Sequence, residues 1–187
     1  STMEAISRKF ECVHKTVQGD GGANVARIIN TCEEMLRDRG CQRVIRMDSS
    51  AFSGLDSPIL QGILDTHHLI EVYICEENKV GVKYARNLLE KSQKPHYIVV
   101  SLEGPTPFTR KECEGYQIQF MLVRDLCFNV TKHSLVPKHE VVSSPPGILK
   151  KEQLPHILET DPIVQYYNWP IGTIVRVWRC YAGHEPI

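Results

Sequence analysis

Residues 69–102, LIEVYICEENKVGVKYARNLLEKSQKPHYIVVSL, contain the clearest signals of regular structure in the chain. Residues 69–75 are rich in β-branched and aromatic side chains and predict a strand, and residues 96–102 predict a second one. Between them, residues 80–93 place apolar side chains on one helical face. A strand, a helix and another strand form a βαβ unit, whose strands lie parallel in one sheet. The first domain is therefore predicted to be α/β.

The preceding segment adds a helix to this domain. Asn24 is a predicted N-cap, and the apolar residues after it recur at helical spacing until Gly40. Residues 42–66 follow with an ambiguous period, so no element is assigned to them.

The following segment adds a short helix and a third strand. Thr106 or Thr109 can cap the helix, and residues 118–123 predict the strand. Residues 126–130 are a candidate fourth strand. The hydrophobic period then lapses over residues 131–138, which is typical of a linker.

The last part of the chain predicts a second, small α+β domain. A short helix is expected around residues 150–154, another after Asp161 and Pro162, and a strand over residues 173–179. The domain boundaries are predicted at 3–136 and 137–187. So small a unit buries little of its own surface, which favours docking on a partner.

Composition excludes several classes of protein. Lys plus Arg and Asp plus Glu both number 22, so the net charge is zero and no overall field attracts phosphate. The seven cysteines include no CxxC pair, which argues against a zinc ribbon or a disulfide framework. No apolar run reaches the roughly 18 residues of a membrane span, and no secretory leader opens the chain. We expect a soluble intracellular protein with free thiols.

The second domain resembles a known family. Residues 149–167, LKKEQLPHILETDPIVQYY, and residues 171–179, IGTIVRVWR, resemble the assembly domain shared by the eukaryotic fifth subunit of RNA polymerase and its shorter archaeal counterpart. The positions that match the family pattern are Gln153, Leu154, Pro155, Asp161, Pro162, Val164, Tyr166, Gly172, Val175 and Arg179. Upstream, CEEMLRDRG at residues 32–40, VGVK at 80–83 and NVTKHSLVPKH at 129–139 resemble the eukaryotic form alone.

The resemblance implies both a fold and a role. The first domain would be a jaw, a restriction-endonuclease-like mixed sheet with flanking helices, near downstream DNA. The second would be an assembly domain docked on the largest polymerase subunit. Two departures stand out: Asn168, Trp169 and Pro170 replace a glycine and small residues, and the chain ends in CYAGHEPI at residues 180–187. Such drift would be expected of a polymerase encoded by a large DNA virus.

Two sets of candidate site residues follow. The DNA-proximal set lies in TPFTRK, where hydroxyls and cations suit contact with a phosphate backbone; it comprises Thr106, Pro107, Thr109, Arg110 and Lys111. A solvated helix start is an equal alternative, because Glu112 and Glu114 balance the charge. The subunit-docking set comprises Gln153, Leu154, Pro155, Asp161, Pro162, Tyr166, Tyr167, Trp169 and Arg179. Of the tryptophans, Trp169 is the expected docking residue, and Trp178 is expected inside on the strand.

The predicted function is that of a non-catalytic structural subunit of a multi-subunit DNA-dependent RNA polymerase. Its partners would be the largest subunit, other polymerase subunits and, weakly and without sequence preference, downstream duplex DNA. No cofactor, metal, membrane or small-molecule ligand is expected. The compartment would be the nucleus for a cellular protein, or the host cytoplasm, in a viral factory, and the virion for a viral one.

Two alternatives from other classes remain. Asp65 with Glu77, Asn78 and Lys79 formally supplies the residue types of a metal-dependent nuclease, although the Glu-x-Lys triplet falls in a turn. The other alternative is a free-standing protein-interaction adaptor. His67 and His68 are adjacent and would face opposite sides of a strand, so they cannot ligate one metal together. His133 and His139 are expected to pack at the linker.

Overall fold

The computed structural model describes residues 22–47, 57–65, 68–91, 95–147 and 150–179, with side chains from Val25 onward. The chain divides into two compact units, one ending at Phe128 and one beginning at Asn129. This division precedes the predicted boundary after Val136. Asn129 belongs to the second unit because its Nδ2 donates a hydrogen bond, 3.0 Å long, to the hydroxyl of Tyr166, 37 residues further along the chain.

The first unit is a mixed α/β structure around a five-stranded sheet, ordered β1-β2-β3-β4-β5. β1 and β2 pair antiparallel, as do β2 and β3, whereas β3, β4 and β5 run parallel. The predicted βαβ unit, β3-α2-β4, is confirmed. The elements of this unit are α1 (Gly22–Asp38), β1 (Arg43–Arg46), β2 (Leu60–Ile63), β3 (Leu69–Ile74), α2 (Val82–Leu89), β4 (His96–Ser101), α3 (Pro107–Glu112), β5 (Ile118–Leu122) and a 3₁₀ turn (Val123–Leu126).

Helices cover both faces of the sheet. On one face, Tyr84 and Leu88 of α2 pack with Tyr73 and Val99 of the central strands. On the other face, Gly62 of β2 lies against α1: a Cβ added there would sit 2.6 Å from Cys41 Sγ and 3.3 Å from Leu36. With both faces covered, β3 and β4 are almost entirely buried, which explains their continuous apolar sequence.

Several local predictions differ from the structure. β1 and β2 lie in residues 42–66, where none was assigned, because strands of four residues are too short to display a period. Residues 126–130 do not form a strand; they run between two 3₁₀ turns. The first helix begins at Gly22, so Asn24 lies inside it and is not its N-cap. Gly40 follows that helix with a φ of 97°, the left-handed conformation that favours glycine.

The described residues of the second unit form a two-stranded antiparallel sheet and one short α-helix. Its elements are a 3₁₀ turn (Val130–Lys132), β6 (Lys138–Val142), a 3₁₀ turn (Lys151–Gln153), α4 (Pro162–Tyr167) and β7 (Ile174–Trp178). The predictions of α4 and β7 are confirmed, whereas the helix predicted over residues 150–154 is a single 3₁₀ turn. β6 was not predicted. None of the helices in the described part of the chain is long and apolar enough to cross a lipid bilayer.

Candidate partner and nucleic-acid interfaces

The turn that leads into α3 is tied firmly to the segment before α2. Val80 N donates to Gly104 O at 2.9 Å, and Thr106 N donates to Val80 O at 3.2 Å. Thr106 also caps α3, because its hydroxyl accepts a hydrogen bond from Thr109 N at 3.2 Å. In turn, Thr109 Oγ1 donates to Val80 O at 2.8 Å. These bonds fix the position from which α3 starts, and the predicted Thr106 cap is confirmed.

This anchoring changes the predicted DNA-proximal set. Thr109 is fully buried and uses its hydroxyl to bind Val80, so it cannot reach a phosphate, and its assignment as a DNA contact is wrong. Pro107, Arg110 and Lys111 are exposed, and Thr106 is half-buried. The two cations therefore remain as the charged members of the set.

The acidic neighbour of these cations is already engaged. Glu112 Oε1 accepts a hydrogen bond from Arg86 Nε of α2 at 2.9 Å. This bond and the charge of Arg86 hold the pKa of Glu112 below its usual value. Within the part of the chain that the structure describes, Arg110 and Lys111 form no ion pair. Glu112 is therefore engaged by Arg86, while Glu114, the other acidic residue of the solvated-start alternative, is exposed three residues after Lys111.

A cleft of about 960 Å³ opens in the second unit beside β7. Most of its walls are apolar, and three of the lining side chains are strongly exposed: Ile157 at 43%, Leu158 at 73% and Ile171 at 90%. Lys151, Arg176 and Arg179 also line it. An exposed apolar cleft of this kind in a small unit is typical of a surface that binds another protein.

The structure separates the predicted docking residues into two groups. Leu154, Pro155, Trp169 and Arg179 line the cleft. The remaining five, which do not line it, are Gln153, Asp161, Pro162, Tyr166 and Tyr167.

Two residues of the second group have local structural roles. Asp161 caps α4, since its Oδ1 accepts a hydrogen bond from Ile163 N at 2.8 Å. Gln153 Oε1 accepts a hydrogen bond from Lys150 N at 2.8 Å. Such contacts with neighbouring backbone amides stabilise the turn and the helix start within this unit.

Tyr166 is a correction to the docking set. It is only 2% exposed, and its hydroxyl accepts the hydrogen bond from Asn129, so it belongs to the interior of the unit. Sequence reasoning could not separate it from its neighbour, because both tyrosines occupy the same short helix. Tyr167, the neighbour, is half-buried.

The tryptophans also differ from each other. Trp169 is half-buried and stacks on Tyr167, with ring centroids 4.8 Å apart and planes 5° from parallel, and the His139 ring lies 6.4 Å away. Trp178, predicted inside, is only half-buried: its indole N–H donates to Glu140 Oε2 at 3.2 Å and Arg176 lies over its ring. Stacking on Tyr167 holds the Trp169 ring, which lines the cleft, in a fixed orientation.

The structure does not bring the residues considered for a nuclease site together in a metal-binding group. Asp65 pairs with His68 at 2.9 Å, and Glu77 is exposed in the bend before α2. Across the described residues, no group of three or more His, Cys, Asp or Glu could hold a metal ion. His67 lies outside the described residues, as do residues 180–187. His133 is exposed and accepts a hydrogen bond from Leu135 N at 3.2 Å.

Ile157, Leu158 and Ile171 were missed because no pattern distinguishes an exposed apolar residue from a core residue in so short a unit. The one available signal is their position beside prolines, in PHIL at residues 155–158 and PI at residues 170–171, outside any periodic segment.

One protein family matches the second unit of this chain, and known proteins match longer parts of it. The family described as "RNA polymerase Rpb5, C-terminal domain" matches residues 147–183, the segment that forms most of the cleft. A relative from Arabidopsis thaliana, "DNA-directed RNA polymerases IV and V subunit 5B", is 30% identical over 172 residues, which cover 79% of each chain.

The chain belongs to the Rpb5 family. Two other family members are similar to this chain over shorter segments. The "DNA-directed RNA polymerases I, II, and III subunit RPABC1" of Caenorhabditis briggsae is 28% identical over 122 residues, 58% of each chain. The corresponding Dictyostelium discoideum subunit is 28% identical over 127 residues, 59% of this chain and 64% of its own. This chain thus spans a little more than half the length of the nematode relative, while the Rpb5 match to the plant protein includes both units.

Proposed function

We propose that this Rpb5-family chain is a non-catalytic subunit of a multi-subunit DNA-dependent RNA polymerase. The second unit is the assembly domain, and its cleft binds the largest subunit. The first unit is the jaw, and the exposed face around α3 lies beside downstream duplex DNA. A cellular chain with this role works in the nucleus.

The observation that carries this proposal is the apolar cleft in the segment that matches the family. Leu158 and Ile171 are among the most exposed large apolar side chains of the described residues, and both line the cleft. Leaving such side chains in water forgoes about 1.5 to 3 kcal/mol each, which a partner surface would recover. Arg179 at the same cleft provides a cation for an acidic group of that partner, whereas Arg176 already pairs with Glu140 at 3.9 Å.

The DNA role is supported by the two cations of α3. Arg110 and Lys111 are exposed, lie on an anchored helix and have no ion-pair partner in the described part of the chain. Two phosphate contacts give weak binding without sequence preference, so the contact would matter only when the rest of the enzyme holds the DNA.

Affinity pull-down of the tagged chain from the cells that express it, at moderate salt, tests the assembly role. We expect two very large subunits and template-dependent RNA synthesis in the recovered material. Leu158→Arg places a charge in the cleft without disturbing a core, because Leu158 is 73% exposed. Recovery of the large subunits should fall by about tenfold or more, as expected when an interface centre is disrupted.

Leu135→Arg is the matched control, since Leu135 is 85% exposed in the same unit and does not line the cleft. It should recover the large subunits as well as the unmodified chain. Equal recovery with both variants would show that the cleft is not the docking surface. Stable complexes without any polymerase subunit would support the adaptor alternative instead.

A further inference from the structure

The cleft of the second unit runs along an edge of β7 and not over one face of the small sheet. Four successive residues of this strand line it, from Ile174 to Val177. Successive side chains of a strand point to opposite faces, so a cleft above one face would contact only every second residue. Of the five residues of β6, which are all described, only Val142 lines the cleft. The cleft therefore lies beside the edge of β7 that faces away from β6.

This edge of β7 has no strand partner among the described residues. β6 pairs with β7 along the other edge, and no backbone hydrogen bond outside that ladder joins Ile174–Trp178 to the rest of the described chain. The N–H and C=O groups of successive residues alternate between the two edges of a strand. Every second residue of β7 therefore directs a backbone donor and a backbone acceptor into the cleft.

The side chains of β7 do not block this edge. Proteins commonly protect an open strand edge with charged side chains or proline. The one charged residue of β7, Arg176, is directed toward β6, because it pairs at 3.9 Å with Glu140, which lies opposite it in the ladder. The other four residues of β7 are apolar, and none is proline. Another strand can therefore approach β7 along the cleft.

The rest of the cleft favours an apolar segment as its occupant. Ile157 and Leu158, which lie outside regular structure, and Ile171 provide exposed apolar contacts. Arg179 follows the end of β7 and forms no ion pair with another described residue, so it suits an acidic residue at that end of the occupant. The charged residues that line the cleft are of both signs, namely Lys151, Arg176, Arg179, Glu152 and Glu159.

An extended segment satisfies the cleft better than a helix does. A helix pairs its own backbone groups internally, so it would cover those of β7 without offering them hydrogen bonds. Burial of unpaired backbone groups is costly. An added strand supplies the missing backbone bonds and also places alternate side chains against the apolar walls.

We propose that the cleft binds an extended segment of the largest polymerase subunit, which adds to β7 as a third strand of the small sheet. The segment is mainly apolar, with an acidic residue at the end beside Arg179. This mode of binding, which rests on the docking role proposed for the cleft, makes backbone hydrogen bonds a source of affinity and the apolar walls a source of specificity.

Amide hydrogen exchange, resolved to single residues by mass spectrometry, tests the added strand. It is measured on the full chain alone, at low concentration, and on the chain within the recovered polymerase. Amides of β7 that donate to β6 should exchange slowly in both samples. The alternate amides should exchange quickly in the free chain and on the order of a hundredfold more slowly in the polymerase, because each then donates to the added strand.

Proline and alanine substitutions test the same bonds through assembly. Val175 and Arg176 are adjacent, so one N–H points to β6 and the other into the cleft, and the exchange pattern identifies which. Recovery of the large subunits should be about tenfold lower with proline than with alanine at the cleft-facing position, because only proline removes the N–H. The two variants should unfold at similar urea concentrations, whereas proline at the position facing β6 should lower the stability.

The outcomes separate strand addition from the docking role itself. If the alternate amides still exchange quickly in the polymerase while Leu158→Arg lowers recovery, the cleft docks through side chains alone, so strand addition is wrong and the docking role stands. If these amides are already slow in the dilute free chain, another part of the chain occupies the edge, and the proposal is overturned. If they become slow only as the free chain is concentrated, a second copy occupies it, with the same consequence. If no polymerase subunit is recovered with the chain, both the docking role and strand addition are wrong.

Discussion

His96 begins β4 in a half-buried position, and its surroundings oppose a positive charge. Burial, and secondarily the nearby charge of Arg39, lower the pKa of His96 to about 4. In the unfolded chain the pKa of histidine is about 6.5. Between these two values the unfolded state binds the extra proton and the native state does not.

The stability that neutral His96 contributes is therefore complete above about pH 6.5 and decreases as the pH falls toward about 4. The total loss over this range is up to about 3 kcal/mol. Urea unfolding near neutral pH and at about pH 5 should show about 2 kcal/mol of this loss in the unmodified chain and much less in His96→Gln. An equally steep pH dependence in His96→Gln would exclude His96 as its source.

At the scale of elements, the contact between β2 and α1 depends on the absence of a side chain. A Cβ on Gly62 would lie 2.6 Å from Cys41 Sγ, closer than any normal contact, and 3.3 Å from two carbons of Leu36. We expect Gly62→Ala to lower the free energy of unfolding by about 1 to 3 kcal/mol, measured in urea, because Cys41 and Leu36 must move away from the added methyl group.

The partner in this clash can be identified by a second substitution. In a Cys41→Ala background the sulfur is absent, so adding the Gly62 methyl group should cost distinctly less than in the unmodified chain. If the free-energy losses of Gly62→Ala and Cys41→Ala simply add in the double variant, the added methyl group does not clash with Cys41.

The sequence predicted the helices and strands whose own residues show a clear hydrophobic pattern. β3, α2 and β4 were predicted because a doubly covered parallel strand is apolar throughout and an amphipathic helix repeats over several turns. Asp161 and Pro162 marked the start of α4. β1 and β2 were missed because each has only four residues and depends on pairing with its neighbours in the sheet, as in the register of Gln61 with Glu71.

The same reasoning applies to the candidate sites. Arg110, Lys111 and Trp169 were chosen from composition, and the structure leaves all three at least partly exposed. Burial of Thr109 and Tyr166 could not be predicted, because each depends on a hydrogen bond to a residue far away in sequence, Val80 and Asn129 respectively. The sequence alone identifies residue types suited to a contact, but it does not identify which of them are buried or hydrogen-bonded within the folded chain.

For the whole molecule, substitutions of Tyr166 and Trp169 should distinguish residues needed for folding from residues needed for assembly. Trp169→Ala removes a half-buried ring that stacks on Tyr167 and lines the cleft. We expect about tenfold lower recovery of the large subunits in the pull-down, with a change in unfolding free energy of about 1 kcal/mol.

Tyr166→Ala should show the reverse ranking. It removes a ring that is 2% exposed, so its main effect should be a loss of about 3 kcal/mol or more from the stability of the second unit. Thermal unfolding and the pull-down should be measured on both variants. If Trp169→Ala proves the more destabilising of the two, Trp169 belongs to the core and not to the docking surface.

The exposed side chains of the cleft also bear on the life of the chain in a cell. Ile171 is 90% exposed and Leu158 is 73% exposed, so every newly made copy presents an exposed hydrophobic surface until a partner covers it. Chaperones and proteases act on such surfaces. We expect orphan copies to be degraded rapidly, so that the abundance of this chain follows the supply of its binding partner instead of its own rate of synthesis.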